Sequence, residues 1–426
     1  MGPPHRRGGT RLSIAPAPAA AVPSRATLGA YLLGTGSWFA ATGMQSVLFT
    51  WLVTVQLAES PEKVGLAQFC LLLPTLGFIL FAGAVADRVG GARIAFAAQA
   101  LAVLPVVGLA LVVAADRLAY GVLVVYALAV GTAQAFLTPA RDGLLPQVAG
   151  TRIQRTVVLA SLVQFGVQIL GYAVAGTAES VGPARVLALQ AVLLAAGAVA
   201  FAVVLRRIPP MSGPAEVAPA SLLAQLREGV ATVLASAPMR SVTLLNAGMG
   251  LFYMGAFQVG VPLLVRAVHG ATPQQLALVN GVHMVGVVLC TLALLRIGDV
   301  ERHGRALVLA LLVGAVALTG LGLAGSFVTL LAWNFLWGVA GGVALSMSRT
   351  VIQELAPPAQ RARVMSVFAF AFLGSGPLGA LLSGALVERV GVHLALVLPA
   401  VAMAACTLLV ALRTALWRGP VAAPAG

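Results

Sequence analysis

The chain has 426 residues, 60% of them hydrophobic and 9% charged, with a mean hydropathy of +0.99; soluble proteins carry about 25% charged residues, so water is excluded as the main solvent. A formal net charge of +14 would suit a nucleic-acid partner, but that reading needs basic residues clustered with aromatics in a soluble segment, and here they sit in short connections between apolar runs. Runs of about twenty apolar residues match the thickness of a bilayer, whereas a β-barrel alternates apolar and polar residues over about ten positions.

Residues 1–26 contain Arg6 and Arg7 but are rich in Gly, Pro and Ala and lack a compact apolar core. They read as a disordered basic tail, with the first span retained. Spans are predicted at 28–55, 65–86, 94–115, 118–139, 156–177 and 183–205, and again at 241–264, 275–297, 306–325, 328–347, 364–387 and 392–412. The chain thus divides into an N-terminal six-helix half (27–205), a linker (206–240), a C-terminal six-helix half (241–413) and a tail (414–426). Within the linker, Leu222, Leu226, Val230 and Val233 share one helical face, away from Arg227 and Glu228. That pattern predicts an amphipathic helix lying on the membrane surface. Cys70, Cys290 and Cys406 fall inside apolar runs without metal-ligand spacing, which indicates neither a disulfide framework nor a zinc site.

With twelve spans, 21 of the 26 Lys and Arg residues fall on the side of the two termini and 5 on the other. Acidic residues divide 7 to 5, so the bias is one of Lys and Arg, and it predicts a plasma or inner membrane protein with both termini in the cytoplasm. The halves also repeat each other. Asp87-Arg88-Val89-Gly90-Gly91-Ala92-Arg93 follows the second span and Asp299-Val300-Glu301-Arg302-His303-Gly304-Arg305 the eighth, a shift of 212. Arg141 and Arg155 map onto Arg349 and Arg363, and Gly166, Gly171 and Gly176 onto Gly374, Gly379 and Gly384, at a common shift of 208. Internal repeats of this kind build many transporter folds.

Gly83-Ala84-Val85-Ala86-Asp87-Arg88-Val89-Gly90-Gly91-Ala92-Arg93, with the six-plus-six layout over 27–413, resembles the major facilitator superfamily. Ser60-Pro61, Pro74 and the stretch from Gln353 to Ser366 are similar to its branch of siderophore and antibiotic exporters. The Gly-Pro that the superfamily's exporters carry in the fifth span falls here in the eleventh, as Gly376-Pro377. The resemblance implies an all-α membrane fold of two pseudo-symmetric six-helix halves. It also implies a conformational latch at Gly83, Asp87, Arg88, Gly90 and Arg93, with Asp299 and Arg305 as its weaker copy. Arg141 and Glu354 are expected to join interhelix pairs at the same membrane face, in place of the plain topology charges that are their alternative.

Polar and aromatic side chains near mid-span are costly in lipid and so mark a cavity or interhelix contacts. On this ground the substrate cavity is predicted at Gln45, Gln134, Gln164, Gln168, Tyr172, Asn246, Tyr253, Gln258, His283, Trp333, Asn334 and Trp337, with Asn280 beside them. Gln164, Gln168 and Tyr172 stand out because four-residue spacing puts them on one face. Glycines of the fifth and eleventh spans are expected to allow close backbone approach. His283 is the one titratable side chain deep in a span, so His283 or Asp87 is the expected proton site.

No phosphate-binding loop or paired cavity carboxylates are present, which excludes ATP hydrolysis by a Walker loop and hydrolase chemistry and leaves no cofactor or metal to expect. The sequence thus points to a monomeric secondary transporter, driven by protons and exporting a small, moderately apolar molecule without any nucleic-acid partner. An importer or facilitator on the same fold and a non-transporting membrane sensor or assembly protein are the alternatives.

Overall fold

A computed structural model describes residues 25–150, 153–208, 222–298, 300–357, 360–414 and 416–417. The predicted N-terminal tail lies outside these residues, apart from Arg25 and Ala26. Helix is the only extended secondary structure among them, as expected where a lipid environment forces each backbone group to be satisfied within its own segment. The first six long helices are α1 (Arg25–Gln56), α2 (Pro61–Val89), α3 (Gly91–Ala114), α4 (Tyr120–Ala149), α5 (Ile153–Gly176) and α6 (Pro183–Arg207). A short α7 (Leu222–Ala235) precedes α8 (Ala237–His269), α9 (Pro273–Ile297), α10 (His303–Gly322), α11 (Phe327–Leu355), α12 (Arg361–Val390) and α13 (Leu394–Arg413).

Eleven of these are long and apolar enough to cross a membrane, and α2 adds a twelfth long helix without a charged residue from Val64 to Ala86. Pro61, Pro183 and Pro273 start their helices where a missing N–H is harmless. Thr272 and Gln275 close a capping box at α9. The predicted spans stop short at two places: α4 runs through Pro139 to Ala149 and α11 runs on to Leu355. Both extensions carry charged residues and so fell below the hydropathy of a span, although the helices continue past the apolar zone.

α1, α3, α4 and α6 pack together with α2 against α4 and α5 against α1; the second set repeats this as α10 against α11 and α13, α9 against α11, and α12 against α8. The main pairs that join the sets are α2 with α12 and α5 with α9. Glycines make the tightest crossings possible. A Cβ on Gly43 of α1 would strike the Gln168 carbonyl of α5, and one on Gly171 would strike that of Ala40. Gly166, expected to pack likewise, meets nothing within 4 Å.

The amphipathic α7 docks on the start of α12. Glu228 pairs with Arg363, Thr232 donates to Gln360 Oε1 at 2.7 Å, and Val233 is buried while Val230 is exposed. The side chains of Leu222 and Leu226 lie outside the described ones.

Candidate functional site

The seam between the two sets is closed at one end and open at the other. At the face carrying loops 57–60 and 270–272, a Cβ on Gly65 of α2 would lie 2.7 Å from the Ala380 carbonyl of α12, and one on Gly176 would lie 3.1 Å from Cβ of Ala277 in α9. Arg266 Nη1 of α8 donates to the carbonyl of Glu59 in the other set at 3.0 Å. Just before Glu59, Ala58 adopts φ +50, a left-handed conformation rare for a residue with a Cβ.

Toward the face of the chain ends, the same helix faces become bare. On α5, Tyr172 is 3% exposed and Val158, two pairs of turns away, is 45%; on α9, exposure grows from 7% at Ala277 to 69% at Leu295. Residues 14 or 18 apart are close to a whole number of turns and stay on nearly the same side of a helix, so the change follows the seam and not a rotation around the helix.

The residues expected to form a latch lie at this open end. Gly90 turns the chain from α2 to α3 with φ +99, a conformation that favours glycine. Arg88 and Arg93 are exposed, and a Cβ on Gly83 would meet nothing within 4 Å. The side chain of Asp87, and Asp299 altogether, lie outside the described part of the molecule. In the second set, α9 ends at Ile297 and Gly298 takes φ +81, which places Gly298 opposite Gly90. Five residues then lead to α10, where one leads from α2 to α3. The four extra residues put Arg305 in the first turn of α10, like Arg93 in α3. Arg305 lies over the ring of Trp417 at 4.6 Å.

Arg141 of α4 is 9% exposed. Its ion-pair partner is its own neighbour, Asp142, at 2.9 Å, and not a residue of another helix as expected. Its contacts across helices are instead the ring of Phe39 in α1 at 4.7 Å and the Tyr31 hydroxyl, which donates to the Arg141 carbonyl at 3.3 Å. Glu354 of α11 does meet another helix, with His303 Nδ1 of α10 at 3.4 Å.

Many predicted cavity side chains are taken up inside their own bundle. Asn246 donates to the Phe368 carbonyl at 2.8 Å, Tyr253 to that of Leu311 at 2.8 Å, and Asn334 to that of Val279 at 2.7 Å. Asn280 donates within its own helix to Leu276. His283 faces Asn334 Oδ1 at 3.3 Å and packs against Phe257 and Trp337, whose ring also meets Tyr253. Trp333 is turned elsewhere, over Gly320 in a groove of α10, α11 and α13, because it stands about 100° around α11 from Asn334. Gln45 is buried, and two residues from Gly43 it turns about 200° away from α5, into the first bundle.

Three half-buried amides remain without a protein partner: Gln134 of α4, Gln164 of α5 and Gln258 of α8. Gln134 lies two turns from Arg141 on the same face. Gln258 sits in a widened π-helical stretch, Ala256–Gly260, which follows another at Met249–Met254. Such stretches are frequent at functional sites because they shift the register of a face. Hydropathy gives no sign of them. Gln168 donates to the Tyr172 hydroxyl at 3.0 Å. Separately, a cleft of about 590 Å³ lies along α5 and α9, with Tyr172 as its one predicted cavity residue.

The sequence profile of a family of transmembrane secretion effectors matches residues 28–420. A curated relative, the multidrug efflux pump Tap of Mycolicibacterium fortuitum, is 27% identical over 374 residues, covering 84% of this chain and 90% of the pump. Among solved structures, the nucleoside transporter NupG superposes with a TM-score of 0.74 at 14% identity, over 93% of this chain and all of that one. An autoinhibited peptide transporter of the POT family superposes at 0.70 and 15% identity, over 91% of this chain and 96% of that one. At such identities the two structures share the fold alone with this chain.

Proposed function

The chain belongs to the transmembrane secretion effector family of the major facilitator superfamily, and from this membership we propose that it exports a small, moderately apolar molecule in exchange for protons. As a transporter of this superfamily it is a multi-pass membrane protein acting on a small-molecule substrate, and not an enzyme.

The observation that carries the substrate class is the near absence of buried charge. Among the described residues the buried polar side chains are Thr, Ser, Gln and Asn, with Arg141 as the single charged one. An interior of amides and aromatic rings offers hydrogen bonds without the counter-charge that a strongly ionic solute needs in low dielectric. The efflux-pump relative supports the outward direction.

The positive-inside bias assigns the face of the chain ends to the cytoplasm. On that assignment the seam is open inward, and the latch of Gly83, Asp87, Arg88, Gly90 and Arg93 is disengaged, consistent with its exposed arginines. Substrate enters from the cytoplasm or the inner leaflet and meets Gln134, Gln164 and Gln258. The halves then rock, the Arg266 contact breaks, and the latch with Arg305, Arg141 and Glu354 closes the cytoplasmic end. His283 and Asp87 are the candidate proton carriers. The protein is proposed to work as a monomer in the plasma or inner membrane.

Cells producing the protein should accumulate less of a neutral fluorescent amphiphile than cells producing Asp87→Asn, and a protonophore should erase the difference. Greater accumulation in the wild type would make it an importer. A difference that persists after the protonophore would refute proton drive.

A further inference from the structure

The cleft between α5 and α9 opens on the lipid side of the seam. Leu162 and Leu170 of α5 and Leu278 and Val285 of α9 are exposed around it, while Gln164 and Gln168 do not line it. Its walls come from different halves of the molecule, and the contact of Gly176 with Ala277 forms part of its floor. Ile169, Ala173, Val282 and Val285 make its deep part apolar. Its polar lining gathers at the closed end: Thr177 and Ser180 after α5, and Gln274 in the first turn of α9.

Dimensions and polarity identify the occupant. Gln274 to Val285 spans eleven residues, about 16 Å at 1.5 Å per residue, and the hydrocarbon of one leaflet is about 15 Å deep. An apolar slot of leaflet depth, with its hydrogen-bonding groups at one end, matches an acyl chain hanging from its ester and phosphate. The Gln274 amide has no protein partner and is free to donate to an ester. Arg185 Nη1 donates to the carbonyl of Val181, the residue after Ser180, at 3.1 Å, which brings a cation to the polar end of the cleft.

We propose that this cleft binds one acyl chain of a membrane phospholipid from the leaflet at the closed face. Because the two walls move apart when the halves rock, a chain seated there favours the closed arrangement of that face. The inference rests on membrane placement and is independent of transport direction.

The test uses the full protein in nanodiscs of phosphatidylethanolamine and phosphatidylglycerol, doped with a phospholipid carrying a diazirine midway along one acyl chain. After irradiation, adducts should concentrate in segments 169–180 and 274–285. A Cβ on Gly281 meets nothing within 4 Å, so Gly281→Leu fills the slot without a backbone clash. It should reduce those adducts to background and leave labelling of other lipid-facing helices intact. Leu278→Trp is a second block should Gly281→Leu fold poorly. Labelling spread evenly over all lipid-facing helices, or unchanged in both variants, would overturn the proposal. So would loss of the adducts on adding an exported amphiphile, which would make the cleft a substrate site.

Discussion

Arg266 is the residue whose contact most directly ties the two halves at the closed face. A hydrogen bond from a charged donor contributes about 1.5–3 kcal/mol, and the lower end applies to a partly exposed side chain. Arg266→Ala is therefore expected to shift the balance of states roughly tenfold toward opening of that face. The measurement is the rate at which an impermeant thiol reagent labels a cysteine placed at Ala277, which already carries a Cβ at the closed crossing of α5 and α9 and is 7% exposed; an unchanged rate would show that the contact does not hold the seam. At the same scale, Gln134→Leu, Gln164→Leu and Gln258→Leu should each lower transport by roughly fivefold, as for one lost hydrogen bond of about 1 kcal/mol. Trp333→Leu should leave transport unchanged. Vesicle uptake compares all four, and equal losses would contradict the placement of Trp333 outside the site.

The sequence made this set of polar side chains visible but not their directions. Twelve cavity candidates came from one rule, that polar groups in lipid need a reason. Whether the reason is a ligand or a neighbouring carbonyl depends on which way each helix is turned. Asn246, Tyr253 and Asn334 found backbone acceptors in adjacent helices, and no single-helix pattern encodes that.

Among the elements, glycine spacing was legible and its use only partly so. Gly171 and Gly379 face backbone of a neighbouring helix, whereas Gly166 faces none. Gly171→Leu should cost about 1–3 kcal/mol by overpacking and lower the thermal midpoint in detergent, while Gly166→Leu should change it little. Equal shifts would mean that the crossing of α1 and α5 is looser than described. The repeat was legible too, but its register was not. Matching Asp87 to Asp299 hid the insertion of four residues between α9 and α10, which only the helix ends and the left-handed Gly90 and Gly298 locate. That insertion gives a physical reason why the proposed latch would be asymmetric, with Arg305 alone keeping its place in the second set. The linker does form a helix at Leu222–Ala235, yet its docking through Glu228 to Arg363 pairs residues 135 apart in sequence, beyond any local pattern.

For the whole molecule, composition and the spacing of charges were enough to foresee the spans and their count, because bilayer thickness and the cost of charge in lipid act on every segment alike. Which end of the seam is closed is a property of packing between halves and left no trace in the sequence. The central claim joins these levels: an inward-open carrier with an uncharged interior that drives its substrate out of the cell. Everted membrane vesicles test it most directly, since their lumen corresponds to the cell exterior. With an acid-inside gradient imposed, they should take up a neutral fluorescent amphiphile against its concentration, and collapse of the gradient should release it. Uptake only into right-side-out vesicles, or none in either orientation, would contradict the account.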